Sequence, residues 1–347
     1  MKFKVLSWVL GAAVSAVAAT SAMAGTLDDV KAKGFLQCGV SQGLKGFSVA
    51  DDQNNWTGMD VDFCRAVAAA IFNDPSKVKF SPLSAKERFT ALQSGEIDIL
   101  SRNTTWTMSR DTSLGLKFAG VMYYDGQGFM VSKAKFPEVT SATQLSGAAV
   151  CTQTGTTTEL NLADYFKSNN MEYKVVAFEK NEEVLKAYQE GRCDVFTTDQ
   201  SGLYAERLVF TNPEEHIVLP EIISKEPLGP VVRQGDDAWF NVAKWTYFAL
   251  VNAEELGITS ANVEEMMSSP NPEIQRLLGV KNSDGAAAGF GTGIGLSEDW
   301  AAQIIRHVGN YGEIFERNVG MSTPLQIARG KNALWTQGGL QYAPPIR

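Results

Sequence analysis

The sequence predicts an α/β protein built as two related lobes, each with a mostly parallel sheet, around a cleft. Three observations carry this. Amphipathic helical runs alternate with short buried strands, which is the pattern of α/β layering. The run Ala91–Leu100 can be laid on Ala187–Phe196 at an offset of 96, with Ala, Gln, Gly and Asp coinciding. Both copies read as helix, glycine stop, buried strand, so a repeated unit is expected. Finally, two glycine-bearing breaks flank the second copy, and two crossings between lobes make a hinge.

Composition bounds the function. The chain has 347 residues, 44% hydrophobic and 20% charged, ordinary for a folded soluble protein of about two domains. Thirty-nine acidic against 31 basic residues give a net charge of −8, which argues against nucleic acid as a partner. The two histidines, His216 and His307, stand far apart with no CxxC nearby, so no metal site is expected.

Taken in order, the N-terminus reads as a signal peptide. Lys2 and Lys4 precede a largely apolar run from Val5 to Ala19, and Ala22-Met23-Ala24 supplies the small-x-small cleavage signal. The cut is expected after Ala24, leaving a mature chain exported and free in solution. Cys38, Cys64, Cys151 and Cys193 all survive it. An even count in an oxidising compartment suggests disulfides, with three connectivities open; a pair of free buried thiols is the alternative.

Asp60 to Phe72 is the first clear helix, with Phe63, Val67, Ala70 and Ile71 at helical spacing and two acids near its N-terminus. Ser84 and Glu87 form a capping box opening a helix that Gly95 stops. Ile97–Leu100 is a buried strand. Tyr123–Gly128 and Glu226–Pro230 are the two crossings. Lobe 1 then comprises 25–123 plus 231–281, and lobe 2 comprises 124–230. Residues 282–347 hold a Gly/Ala-rich linker and an extension, where Ser297 is expected to cap a helix bearing Trp300, Ile304, Ile305 and Val308. The extension is expected to pack back on a lobe.

The chemistry concentrates after the repeated strands. Ser101–Arg110 follows the first of them, at the carboxyl edge where open α/β sheets bind ligands. Thr105 and Thr107 offer hydroxyls, and Arg110 can take a carboxylate through two parallel hydrogen bonds. An ion pair with Asp111 or a helix-start role competes for Arg110. In lobe 2, Gly155 turns into a helix capped by Thr156 and Glu159, whose free N–H groups can receive an anion; simple capping is the competing role. The offset of 96 matches Asn103 with Asp199. A carboxylate, Asp199, then faces a guanidinium, Arg110, across the cleft, which suits a zwitterion with ammonium and carboxylate groups. An Asx-type turn is the competing role for Asp199.

Together, Gly58–Phe63, Asn103–Arg110, Gly155-Thr156-Thr157 and Asp194–Asp199 resemble the polar amino-acid solute-binding proteins of ABC transporters (bacterial solute-binding protein family 3), nearest the general L-amino-acid-binding subgroup. The resemblance covers roughly residues 26–280, and the tail resembles only the longer members. It implies a periplasmic-binding-protein-like fold of type II: two α/β lobes on a two-strand hinge, here with a C-terminal helical extension. It implies a receptor in the periplasm of a Gram-negative cell that delivers L-amino acids to an inner-membrane ABC permease, with no cofactor and as a monomer. By the resemblance, Arg110 and the N–H of Thr156 or Thr157 hold the ligand carboxylate. Asp199, the Asn103 carbonyl and the Thr105 hydroxyl hold the ammonium, while Thr107 and Gln153 line the site. Phe47, Trp56 and Trp106 are candidate side-chain walls, with core roles as the alternative. Ala85 stands where compact relatives carry an aromatic lid, and Ser41 near where they carry an acid; both departures imply a roomy, broad-range pocket. Within this layout, pairing Cys38 with Cys64 and Cys151 with Cys193 leaves the hinge free. The competing functions are a dehydratase-like enzyme on the same fold, or a soluble sensor for a membrane receptor.

Overall fold

The computed structural model describes residues 25–281 and 290–347, so the signal-peptide reading and most of the predicted linker lie outside the described residues. The chain enters on α1 (Thr26–Lys33) and β1 (Leu36–Ser41). A hairpin of β2 (Val49–Ala50) and β3 (Trp56–Thr57) leads to α2 (Met59–Phe72) and β4 (Val78–Leu83). Then come α3 (Arg88–Ser94), β5 (Ile99–Leu100), α4 (Met108–Thr112) and β6 (Leu116–Phe118). Strand β7 (Tyr123–Asp125) crosses to the second lobe. There β8 (Gln127–Ser132), β9 (Ala149–Gln153), α5 (Thr157–Ser168) and β10 (Lys174–Phe178) are followed by α6 (Asn181–Gln189), β11 (Val195–Asp199), α7 (Gln200–Arg207) and β12 (His216–Val218). Strand β13 (Glu226–Leu228) returns to β14 (Val231–Arg233), α8 (Asp237–Glu255), α9 (Val263–Met266) and α10 (Pro272–Leu278). The extension holds α11 (Trp300–Val308) and α12 (Tyr311–Asn318).

The two sheets have equivalent topologies. Lobe 1 runs β4-β1-β5-β14-β6 and lobe 2 runs β10-β9-β11-β8-β12. In each, the first three strands are parallel and the fourth, attached to a crossing, is antiparallel to both its neighbours. The crossing strands β7 and β13 pair antiparallel, Glu226 opposite Asp125 and Leu228 opposite Tyr123.

The offset of 96 is visible in hydrogen bonds. The Asp98 carboxylate accepts the N–H of Gln37 at 2.7 Å and that of Asp194 accepts the N–H of Ala149 at 2.9 Å. Each pins the entry of the strand that lies second in its sheet, β1 or β9, and each is paired with a lysine, Lys33 or Lys135. The glycine stops behave alike. Gly95 (φ 81°) and Gly191 (φ 73°) lie in the left-handed region, which a side chain would strain.

Phe63, Val67 and Ala70 of α2 are buried as their spacing predicts. The Ser84–Glu87 box forms reciprocally at 3.1 and 3.2 Å, one turn ahead of the regular helix. Helix α11 departs from expectation: Asp299, not Ser297, holds its N-cap position, and the Ser297 hydroxyl instead accepts from Gln303 Nε2 at 3.1 Å. Cys38–Cys64 and Cys151–Cys193 are bridged, Cα atoms 6.3 and 5.7 Å apart, one bridge in each lobe.

The extension belongs to the lobe 1 core. Trp300, Ile304, Ile305, Tyr311, Ile314 and Phe315 are buried in one cluster with α2 and α8. It also backs the first crossing strand. The Tyr311 hydroxyl donates to Met122 O at 2.8 Å, Gln341 Nε2 to Val121 O at 3.0 Å, and the Asn332 amide accepts from Tyr124 N at 2.6 Å.

Candidate functional site

The carboxyl edges of the two sheets face each other across the crossing strands. Lobe 1 supplies a cationic wall of three buried guanidiniums, Arg88, Arg102 and Arg110. Thr107 caps α4 by accepting the N–H of Arg110 at 3.3 Å, which sets Arg110 in the first turn of the short helix. The Arg110 guanidinium donates to Thr105 O at 2.8 Å and stands over the Phe89 ring at 5.1 Å. Arg102 Nε donates to Leu83 O at 2.9 Å, and Arg88 reaches Arg102 O and the Thr104 hydroxyl at 3.4 and 3.3 Å. Burial lowers all three guanidiniums, Arg102 to about 10, and Arg88 is further lowered by the charges of Arg102 and Arg110.

Asp60, in the first turn of α2, offsets part of this charge. It accepts the Ser101 hydroxyl at 3.1 Å and the N–H of Asn103 at 2.9 Å. Burial pushes its carboxyl up to about 6 against the pull of those bonds. The Asn103 bond holds that residue at φ 29°, a conformation L side chains rarely adopt, and its side-chain carbonyl is buried with no hydrogen-bond partner among the described residues.

Lobe 2 supplies the anions. Asp199 sits at the N-cap of α7 but does not cap it. That work falls to Asp125 of the crossing strand, which accepts the Ser201 hydroxyl at 2.5 Å and the Ser201 N–H at 3.3 Å. The Asp199 carboxyl is thereby left buried at the cleft, with no hydrogen-bond donor among the described residues. Burial, then the neighbouring Asp125 and Glu226, push it well above the usual carboxylate range, while Arg88 and Arg110 pull it back.

Glu226 joins the lobes at the hinge. It accepts the hydroxyls of Thr105 at 2.6 Å, Thr157 at 2.9 Å and Ser224 at 2.6 Å, and the Asn161 amide at 2.7 Å. Thr105 and Thr157, from opposite lobes, are 3.3 Å apart. Nearby, Gly155 lies so close to Ala85 and Lys86 that a Cβ there would stand 3.3 Å from Lys86 Cα, and Lys86 pairs with Glu179 across the cleft.

The structure thus brings Asn103, Thr105, Arg110, Thr157 and Asp199 to one place, with Ala85 on the facing edge. Ser41, Asn103, Gln153, Asn181, Asp199 and Glu206 line a small cavity between the lobes. Thr156 caps α5 through the N–H of Glu159 at 3.3 Å, but Glu159 returns its bond to Gly155 rather than to Thr156. The Thr107 hydroxyl is engaged in the α4 cap. Phe47 is buried edge-on to Tyr123, ring centroids 5.3 Å apart, and Trp56 packs on Phe80. Trp106 stacks on Phe118 at 5.4 Å and stays 39% exposed. Sequence reasoning missed Arg88, Arg102 and Glu226. Glu226 lies in the segment that the sequence predicts as the second crossing, and its role depends on the hydroxyls that the paired crossing strands bring to it. Neither histidine is placed at the cleft: His216 meets Tyr188 and His307 meets Asn73.

Two matched α/β lobes closing on a pocket with a guanidinium on one wall and a carboxylate on the other define a class of ligand-capturing receptors. The chain belongs to the bacterial extracellular solute-binding proteins, family 3, whose model matches residues 36–256. It is 65% identical, over the whole of both chains, to the general L-amino acid-binding periplasmic protein AapJ of Rhizobium johnstonii. It is 54% identical to the glutamate/glutamine/aspartate/asparagine-binding protein BztA of Rhodobacter capsulatus, over 96% of this chain and 97% of that one. A solved structure described as an ABC transporter/periplasmic binding protein from Brucella ovis with glutathione bound matches with a TM-score of 0.91 at 64% identity, covering 93% of this chain and 100% of that one.

Proposed function

We propose that the protein is a periplasmic receptor for L-amino acids of broad range that passes them to an inner-membrane ABC permease. The observation that carries this is Asp199, buried opposite Arg110 and relieved of helix capping by Asp125. An α-ammonium supplies the donor that Asp199 lacks, and an α-carboxylate supplies a partner for the guanidinium N–H groups that Arg110 does not spend on Thr105 O. The N–H groups of Thr156 and Thr157 at the start of α5 add to the carboxylate end. Micromolar binding needs about −8 kcal/mol. Charge-assisted hydrogen bonds of roughly 1.5–3 kcal/mol each supply much of it. These contacts are common to all α-amino acids, so they give affinity without selectivity. Ligand touching both walls favours the closed arrangement of the lobes.

The names of the relatives support the same reading. Glutathione, present in the Brucella ovis neighbour, carries a free α-amino acid end on its γ-glutamyl residue, so the same charges can hold it. Export after Ala24 and action as a monomer complete the proposal. Catalysis is disfavoured by the chemistry of the site, where Asp60 and Glu226 are engaged in structural bonds and Asp199 is accounted for as the ammonium partner.

The test is calorimetric titration of the chain without residues 1–24, unfolded and refolded to strip bound ligand, against the twenty L-amino acids, glutathione, sugars and keto acids. One-to-one binding of many amino acids without turnover is expected. Silence toward amino acids, or heat continuing after saturation, overturns the proposal.

A further inference from the structure

Glu206 is a second buried acid of the cleft that the contacts above leave without a role. It lies on α7, two turns beyond Asp199, which places its Cα about 10 Å further along the helix. Helical side chains lean toward the N-terminus, so Glu206 leans back toward Asp199. Both residues line the same cavity, together with Ser41, Gln153 and Asn181. The Glu206 carboxyl accepts the Asn181 amide at 2.5 Å, and its second oxygen has no protein donor among the described residues. Two hydrogen bonds of about 3 Å and a short side chain span a gap of this size.

We propose that Glu206, held by Asn181, is the subsite for the end of the bound amino acid's side chain and decides there between a carboxamide and a carboxylate. This rests on the amino-acid reading of the cleft. As a carboxylate, Glu206 accepts the N–H of a carboxamide such as that of glutamine and repels the carboxylate of glutamate. As a carboxylic acid, it donates its proton in a hydrogen bond to glutamate. Both forms are accessible: burial pushes its carboxyl up to about 7, against the bond from Asn181 and the charge of Lys45. The groups facing it are Asn181 from α6, Lys45 from the loop after β1, and Ser41 and Gln153 at the ends of β1 and β9. Asp199 on its own element and Arg102 beyond β5 line the same cavity at its other end. One titratable group then serves ligands of two charges, a physical route to breadth that a fixed donor or acceptor lacks.

The experiment is titration of wild-type protein and Glu206→Gln with L-glutamine and L-glutamate between pH 6 and pH 8. Both ligands keep the same charges over this range, so the ratio of their affinities isolates the subsite. In wild type, the preference for glutamine over glutamate is expected to grow about tenfold per pH unit, up to about a hundredfold from pH 6 to pH 8, as linkage to one proton requires. In Glu206→Gln the ratio is expected to be flat with pH, with glutamate gaining on glutamine at pH 8. A wild-type ratio that does not move with pH, or one that moves equally in the variant, overturns the proposal. The wild-type series alone decides the matter if the variant does not fold. Binding of neither ligand by wild type counts instead against the amino-acid reading of the cleft.

Discussion

The two lobes share a frame and differ in charge. Their strand orders correspond, each has one disulfide, and Asp98 and Asp194 do the same work 96 residues apart. Yet lobe 1 turns three guanidiniums to the cleft, and lobe 2 turns Asp199 and Glu206. The divergence is plain at the strand ends, where Asn103, three residues past β5, corresponds in the repeat to Asp199, the last residue of β11. A duplicated scaffold thus supplies the geometry, and substitutions at the strand ends supply opposite poles. On the proposed function, such a pair of walls would hold a zwitterion with each end on a different lobe, which would couple binding to closure.

Breaking the frame is expected to have the largest effect. Replacing both Cys151 and Cys193 by Ser is expected to lower stability by about 3–4 kcal/mol, and the shorter Cys38–Cys64 loop by slightly less, on the chain-entropy account of their 42- and 26-residue separations. Calorimetric melting checks this; equal melting of the bridged and Ser forms would contradict it. Breaking the cationic pole comes next. Arg110→Ala is expected to weaken every amino acid by about 3 kcal/mol, more than a hundredfold, because the shared carboxylate loses its partner. Loss confined to one ligand in titration would place Arg110 elsewhere. Breaking the anionic pole sharpens the contrast. Asp199→Asn is expected to weaken amino acids by about 2 kcal/mol while deaminated analogues change little. Equal loss in both series would remove Asp199 from the ammonium site.

Much of this contrast is legible in the chain itself. The helix–glycine–strand unit is local, and its repeat betrays the paired lobes before any contact is known. Arg110 follows β5 and Asp199 closes β11, so topology alone brings them to the carboxyl edges of their sheets. Asp125 and Glu226 were not legible. Their roles depend on two crossing strands, a hundred residues apart, lying side by side: one caps a helix from a different segment, and the other gathers hydroxyls from both lobes. Glu159 shows the limit of a motif. Its capping box is written in the sequence, but the return bond goes to Gly155, one residue further back. Ser297 shows the same limit, with its hydroxyl drawn to Gln303. Wall and core roles for the aromatics are not separable in the sequence, because the contacts of Phe47 with Tyr123 and of Trp106 with Phe118 depend on tertiary packing.

Both ends of the described chain are fastened to the same lobe. The N–H of Thr26 donates to Asp236 at 2.8 Å, and Arg276 holds the Ile346 carbonyl at 3.1 Å. Lobe 2 is therefore an uninterrupted loop of polypeptide, hung on two strands and owning neither terminus. A fluorophore, a surface tether or a fusion partner attached at either end rides on lobe 1 alone. Two such attachments report nothing of closure, however far the lobes swing. A distance sensor for this receptor needs one of its labels inside residues 127–218.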